Sequence, residues 1–169
     1  CDEEVAKILR KLVYERDGIR YRSETEDNPE LRANREPLSV TKTGIDGIDT
    51  ILNPDAPIVL VVHQDVESQQ SNPFEAAMVE KLVDPIGSSE DIGVITPHNA
   101  QRGRLTDVLG DRIDNRSIDV DTVDRFQGSE RDVIILSSTV SDPDYIRKET
   151  EFILSPNRLN VALSRMEKK

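Results

Sequence analysis

The stretch that decides the fold is IDVDTVDRFQGSERDVIILSS, residues 118–138. Polar and apolar residues alternate over 117–122, which is typical of a strand. A mainly apolar run follows over 132–139 and predicts a second strand, buried on both faces. Gly128 lies between the two and permits a tight turn or a close backbone approach that a side chain would block. The stretch therefore predicts two strands joined by a glycine-containing connection.

The segments upstream continue an alternation of strands and helices. IGVIT (92–96) predicts a strand, and residues 98–109 predict a helix that ends before Gly110. Further upstream, IVLVVH (58–63) is a continuous apolar run that predicts another fully buried strand, followed by a helix over 73–84. Strands that alternate with helices indicate an α/β fold with a mainly parallel sheet.

The two ends of the chain differ from this core. Residues 2–16 carry an apolar stripe at helical spacing, and residues 155–166 predict a closing helix. Residues 24–57 hold four prolines and little periodicity, which is typical of a loop or an irregular insertion. We expect one domain over residues 1–169, with a helix and an irregular segment over 1–57 and an α/β core over 58–169.

Composition excludes several classes of protein. The one cysteine excludes an internal disulfide framework and a cysteine zinc site, two histidines leave little for metal binding, and we expect no metal site. No run of 18 apolar residues and no signal-peptide pattern occurs, so we expect an intracellular, cytoplasmic protein without a membrane partner. The net charge of −11 argues against an autonomous nucleic-acid binder. The charge is uneven, however: residues 1–90 carry −9 and residues 91–169 only −2.

Several residues have both a functional and a plain structural interpretation. Thr96 and Pro97 follow one predicted strand and Thr122 ends the next, where hydroxyl and backbone N–H groups can meet a phosphate. Threonine and proline are equally ordinary at strand ends. Phe126 is more typical of a packing anchor than of a base-stacking platform. Arg165 lies seven residues after another arginine on one helix face, and taken alone this segment is better explained as an amphipathic helix with solvated arginines.

The order, spacing and content of three segments resemble the last three motifs of superfamily 1 helicases, in the branch that includes the RNA helicase of nonsense-mediated decay and related DNA helicases. These segments are IGVITPHNAQRGRL (92–105), IDVDTVDRFQGSERDVIILSS (118–138) and NRLNVALSRMEKK (157–169). Weaker likeness extends to 71–83 and 5–23. The resemblance implies a RecA-like sheet of the P-loop NTPase type, flanked by helices, as the second, C-terminal motor domain.

The resemblance also implies roles for individual residues. Arg165 corresponds to the arginine finger that reaches the γ-phosphate of ATP held by the partner motor domain. The residues implied in ATP binding are Gln127, Gly128, Glu130 and Arg158, and those implied in contacts with single-stranded nucleic acid are Thr96, Pro97, Gln101 and Thr122. The sequence departs from the family pattern at His98, where tyrosine is usual, and at Met166, where alanine is usual.

The chain lacks the pattern G-x-x-x-x-G-K-[ST], so it has no Walker A loop, and it has no convincing magnesium-holding acid. The resemblance implies that ATP and Mg²⁺ are bound mainly by the first RecA-like domain of the same parent chain, and that this chain alone is inactive. The leading hypothesis is half of an ATP-driven translocase on single-stranded nucleic acid. The alternative is a non-catalytic α/β nucleic-acid-binding or regulatory module. An independent hydrolase is a weaker third, because no nucleophile–base pair supports it.

Overall fold

The computed structural model describes residues 3–14, 30, 36–126, 130–149, 160 and 163–169. In chain order its elements are α1 (Glu3–Leu9), a π-helical turn (Arg10–Tyr14), α2 (Asp46–Ile51), α3 (Pro73–Val83), β1 (Ile92–Thr96), α4 (Asn99–Leu109), α5 (Asp111–Asn115), β2 (Ile118–Thr122), β3 (Val133–Leu136) and α6 (Pro143–Lys148).

The three strands form one parallel sheet in the order β2-β1-β3. Ile92 at the start of β1 pairs with Ile118 of β2 on one side and with Val133 of β3 on the other. All five residues of β1 are buried, as expected for the central strand of a parallel sheet. The predicted parallel α/β fold is confirmed, and the sheet with its flanking helices is consistent with a RecA-like domain.

The last residues of the chain lie along the outer edge of β3. Met166 forms a parallel bridge with Arg131. The backbone N–H of Ile134 donates to the carbonyl of Lys169 at 2.7 Å, and the N–H of Lys169 donates to Asp132 at 2.9 Å. Residues 166–169 therefore continue the sheet beyond β3.

Apolar side chains pack on both faces of the sheet. Val94 belongs to the main core with residues of α3 and α4, including Val79, Leu82, Leu105 and Leu109. Ile95, the next residue of β1, packs in a separate cluster with Val123 and Phe126. Successive side chains of a strand point to opposite faces, so the two clusters lie on opposite sides of β1. Val5 and Leu9 of α1 pack with Met166 in a third cluster, against which Ile134 of β3 also packs.

Helices α3 and α4, the longest among the described residues, match their predictions to within one residue. Asn72 caps α3, because its side chain accepts a hydrogen bond from the N–H of Glu75, and Pro73 occupies the first turn. Gly110 ends α4 with a φ of 44°, a conformation that suits glycine. Of the predicted closing helix, the structure describes residues 160 and 163–169, and residues 160, 163 and 164 are helical.

The predicted buried strand over 58–63 is wrong. Within the described residues this segment forms no ladder with any strand, and Leu60 and Val62 are 88% and 83% exposed. An apolar run becomes a buried strand only when a neighbouring strand supplies hydrogen bonds and a face to cover it. The segment predicted as irregular also contains more structure than expected, because α2 contributes Ile48 to the main core.

Candidate functional site

Thr96 and Thr122 lie side by side at the carboxyl edge of the sheet, as predicted from their places at two strand ends. Thr96 is fully buried, and its hydroxyl lies 2.8 Å from the hydroxyl of Thr139. Thr122 is nearly buried, and its carbonyl accepts the N–H groups of Arg125 and Phe126, both at 3.0 Å. The hydroxyl of Thr96 is thus enclosed, and a phosphate contact by either threonine stays a prediction.

The start of α4 follows directly from the end of β1. Pro97 and His98 are half-buried, whereas Asn99 and Ala100 are exposed. His98 stands at the N-cap and gives no side-chain hydrogen bond to the first turn. The first N–H groups of a helix and the positive end of its dipole favour an anion. A contact of this helix start with backbone phosphates stays a prediction.

Gln101 lies inside the domain. Its Oε1 accepts the backbone N–H of Asn72 at 2.7 Å. Its Nε2 donates to the carbonyl of Asn72 at 3.2 Å and to the hydroxyl of Ser137 at 3.0 Å. The side chain is fully buried, so Gln101 ties the first turn of α4 to the start of α3 and to the end of β3.

Phe126 anchors the glycine-containing connection to the sheet. Its ring is buried and packs over Gly93 so closely that a Cβ at Gly93 would lie 2.5 Å from Cζ of the ring. The guanidinium of Arg131 lies 5.6 Å from the ring centroid, in cation–π contact, and pairs with Asp119 of β2. The interpretation of Phe126 as a packing anchor is confirmed.

Arg131 joins the segment of Glu130, which is predicted to bind ATP, to the segment of Arg165, the predicted arginine finger. Its backbone N–H donates to the carbonyl of Arg165 at 3.0 Å, and its carbonyl accepts the N–H of Glu167 at 2.8 Å. Glu130, the residue before it, is exposed. Arg165 is half-buried, and its Nε has no hydrogen-bond partner among the described residues. The remaining predicted nucleotide residues, Gln127, Gly128 and Arg158, lie outside the described residues.

Two comparisons with known proteins place this site in a family. The profile of a family described as AAA domain matches residues 2–169. The DNA polymerase alpha-associated DNA helicase A of Saccharomyces cerevisiae is 39% identical over 98 residues, which cover 56% of this chain and 14% of the relative. The regulator of nonsense transcripts 1 homolog of Arabidopsis thaliana is 41% identical over 103 residues, covering 56% of this chain and 8% of the relative. The ATP-dependent helicase upf1 of Schizosaccharomyces pombe is 31% identical over 129 residues, covering 68% and 14%.

The chain belongs to the superfamily 1 helicases. The relatives place it in the branch that includes the regulators of nonsense transcripts and related DNA helicases, as the resemblance of its motifs predicted. The chain spans only 8–14% of the length of these three relatives.

A buried carboxylate of this helicase domain escaped the sequence-based prediction. Glu75 is 8% exposed, and its carboxylate accepts hydrogen bonds from Ser137, Ser138 and Thr139, more than 60 positions later in the chain. The one local signal is Asn72 three residues before it, a spacing typical of a capping box. That pattern predicts a side chain turned back to its own helix start, whereas Glu75 turns to the end of β3 and Gln101 bonds the N–H of Asn72 instead.

The loop before α3 is fastened to the start of α6. Ser68 accepts the N–H groups of Ser141 and Asp142 at 2.8 and 3.0 Å. The hydroxyl of Ser141 donates to Asp65 and lowers the pKa of that carboxyl. The amide of Gln69 likewise lowers the pKa of Asp142, to which it donates at 2.7 Å. These bonds hold residues 65–72 across the carboxyl edge of the helicase domain.

The described residues contain no group of three or more His, Cys, Asp or Glu arranged to hold a metal ion. Nor does any helix among them have the length and apolar character needed to cross a membrane.

Proposed function

We infer that this domain is the second motor domain of an ATP-dependent superfamily 1 DNA or RNA helicase. In this proposal it supplies an arginine finger, Arg165, and part of the grip on single-stranded nucleic acid. The observation that supports it best is the hydrogen bond between the N–H of Arg131 and the carbonyl of Arg165. This bond brings the predicted finger segment beside the segment of Glu130, so two of the three motifs converge in space.

The residues present fit a role in phosphate recognition rather than in holding the nucleotide. A guanidinium is always charged and offers a fork of N–H donors to a phosphate. Arg165 is half-buried, and its Nε is itself buried and has no hydrogen-bond partner among the described residues. The chain has no Walker A pattern, and no metal-holding cluster occurs in the part that the structure describes. In this proposal ATP and Mg²⁺ are bound mainly by a first RecA-like domain, and the resemblance to the family implies nucleotide contacts by Gln127, Gly128, Glu130 and Arg158.

The proposed grip lies at the carboxyl edge of β1 and β2. There Thr96, Pro97 and Thr122 precede the first turn of α4 and the turn that follows β2. Backbone N–H groups at this edge meet phosphates without reading the bases, which suits a motor that moves along any sequence. Opening and closing of the cleft between the two motor domains would then shift the grip along the strand.

The finger is tested by Arg165→Ala in a protein that joins this domain to a Walker A motor domain. Nucleic-acid-stimulated ATP hydrolysis is expected to fall by about 10³–10⁵-fold, because the developing charge on the phosphate loses its guanidinium. ATP binding is expected to be largely kept. Arg147→Ala is the matched control, since Arg147 is exposed and pairs with Asp144 on α6. Normal turnover of Arg165→Ala would refute the finger.

The domain alone is expected to hydrolyse no ATP and to bind single strands weakly and in a salt-sensitive way. Measurable hydrolysis by the purified chain would contradict the division of the ATPase site between two domains. The second candidate, a non-catalytic binding or regulatory module, is favoured by the burial of Thr96 and Gln101. It predicts that Arg165→Ala leaves all activities of the two-domain protein unchanged.

A further inference from the structure

A buried carboxylate joins α3 to the end of β3. Glu75 accepts the hydroxyls of Ser137 at 2.5 Å and Ser138 at 3.0 Å. It also accepts the backbone N–H of Thr139, at 2.9 and 3.1 Å from its two oxygens. His63 Nε2 lies 3.3 Å away and donates as well, because its Nδ1 accepts the N–H of Asp65. A carboxylate offers about four acceptor sites, so these donors use its capacity.

A chain of hydrogen bonds leads from Glu75 to the start of α4. Since the hydroxyl of Ser137 donates to Glu75, its oxygen remains to accept Nε2 of Gln101. That fixes the orientation of the Gln101 amide and turns its Oε1 to the N–H of Asn72. Bonds aligned in one direction strengthen each other in a buried setting. Glu75 therefore determines how the first turn of α4 is held.

The same carboxylate holds a strained turn. Thr139 has a φ of 71°, which a β-branched residue rarely adopts and which persists only when the surroundings impose it. Both oxygens of Glu75 bond the N–H of Thr139, and the hydroxyl of Thr139 lies 2.8 Å from that of Thr96. The end of β1 is thereby placed by Glu75 through Thr139.

We propose that Glu75 is a positioning residue for the grip on single-stranded nucleic acid. Its buried carboxylate holds the turn Ser137–Thr139, and through that turn the end of β1 and the first turn of α4, in the arrangement that meets backbone phosphates. This rests on the proposed function, because the phosphate contacts belong to it. Glu75 itself does not touch the nucleic acid, since it is buried and carries the same sign of charge as phosphate.

The test compares Glu75→Gln with Glu80→Gln in the 169-residue chain. Glu80 lies on the same helix and pairs with Arg112 at 3.3 Å, away from the Ser137–Thr139 turn. Binding of fluorescein-labelled oligothymidylate is measured by anisotropy between about 50 and 200 mM salt. For Glu75→Gln the affinity is expected to fall by about 3–30-fold, and the salt slope to become shallower by about 0.7 for each phosphate that the domain no longer neutralises. Glu80→Gln is expected to keep the slope of the unsubstituted chain.

The salt slope separates positioning from mere destabilisation, because a smaller folded fraction lowers the bound amount without changing the number of phosphates that each folded molecule neutralises. If Glu75→Gln does not fold, Ser137→Ala removes the link between Gln101 and Glu75 and is expected to give the same shallower slope. A folded variant with an unchanged slope overturns the positioning role while the proposed function stands. Failure of the unsubstituted chain to bind the oligonucleotide overturns the grip itself.

Discussion

Replacing Gly93 by alanine tests how the glycine-containing connection is held on the sheet. A Cβ at position 93 would lie 2.5 Å from Cζ of Phe126 and 2.8 Å from Cδ1 of Ile134, whereas ordinary contacts are 3.4–4 Å. Phe126 is buried, and Ile134 packs against two clusters, so neither side chain can move away freely. Overpacking of this kind costs about 1–3 kcal/mol of unfolding free energy. The smaller entropic gain of alanine over glycine, about 0.5–1 kcal/mol, does not offset it.

The measurement is thermal and urea unfolding followed by circular dichroism. A destabilisation of about 1–3 kcal/mol corresponds to a fall in melting temperature of about 2–12 °C for a domain of this size. Gly103→Ala is the control, since a Cβ there meets nothing within 4 Å and helix α4 gains up to about 1 kcal/mol from alanine. The double variant Gly93→Ala/Phe126→Leu is expected to recover part of the stability. A Gly93→Ala protein as stable as the unsubstituted one would refute the proposed packing of Phe126.

Three further predictions concern charge and exposure. Hydrogen bonds lower the pKa values of three carboxyls from 3.8: Ser141 acts on Asp65, Arg112 on Asp84 and Gln69 on Asp142. The contribution of these carboxyls to the free energy of unfolding is therefore complete above about pH 4 and is lost as pH falls through the lowered values. Urea midpoints are expected to drop as pH falls below about 4, and less so in Asp84→Asn. With a net charge of −11, the melting temperature is expected to rise between about 0.1 and 1 M KCl, where the screening length shrinks from about 10 to 3 Å; a flat profile would contradict this. Leu60→Lys is expected to leave the melting temperature within about 2 °C, because Leu60 is 88% exposed, and to raise solubility in a precipitation assay.

Local pattern was sufficient for the elements that carry their own signal. The apolar run of β1, the alternation of β2 and the capped helices α3 and α4 are determined by residues within a few positions of each other. The run 58–63 has an equally strong apolar signal, but burial depends on a neighbour that no local pattern reveals. Short helices such as α6 have too few residues to show a period.

The site shows the same division between local and distant information. The strand-end positions of Thr96 and Thr122 followed from the predicted sheet, and the packing role of Phe126 followed from its residue type. The partners of Glu75 and Gln101 are 12 to 64 residues away in the chain, and a hydrogen bond between polar side chains leaves no periodic trace. The burial of Gln101 could therefore be recognised only from the three-dimensional structure.

The pairing of the chain's last residues with β3 has a mechanical consequence. The bonds that join Arg131 to Arg165 and Glu167, and Ile134 and Asp132 to Lys169, lie side by side across two parallel segments. A load applied along these segments acts on the bonds together, in shear, instead of breaking them one after another. A displacement of Arg165 is thus passed to β3 as a rigid push or pull, and the end of β3 is where Ser137 meets Glu75.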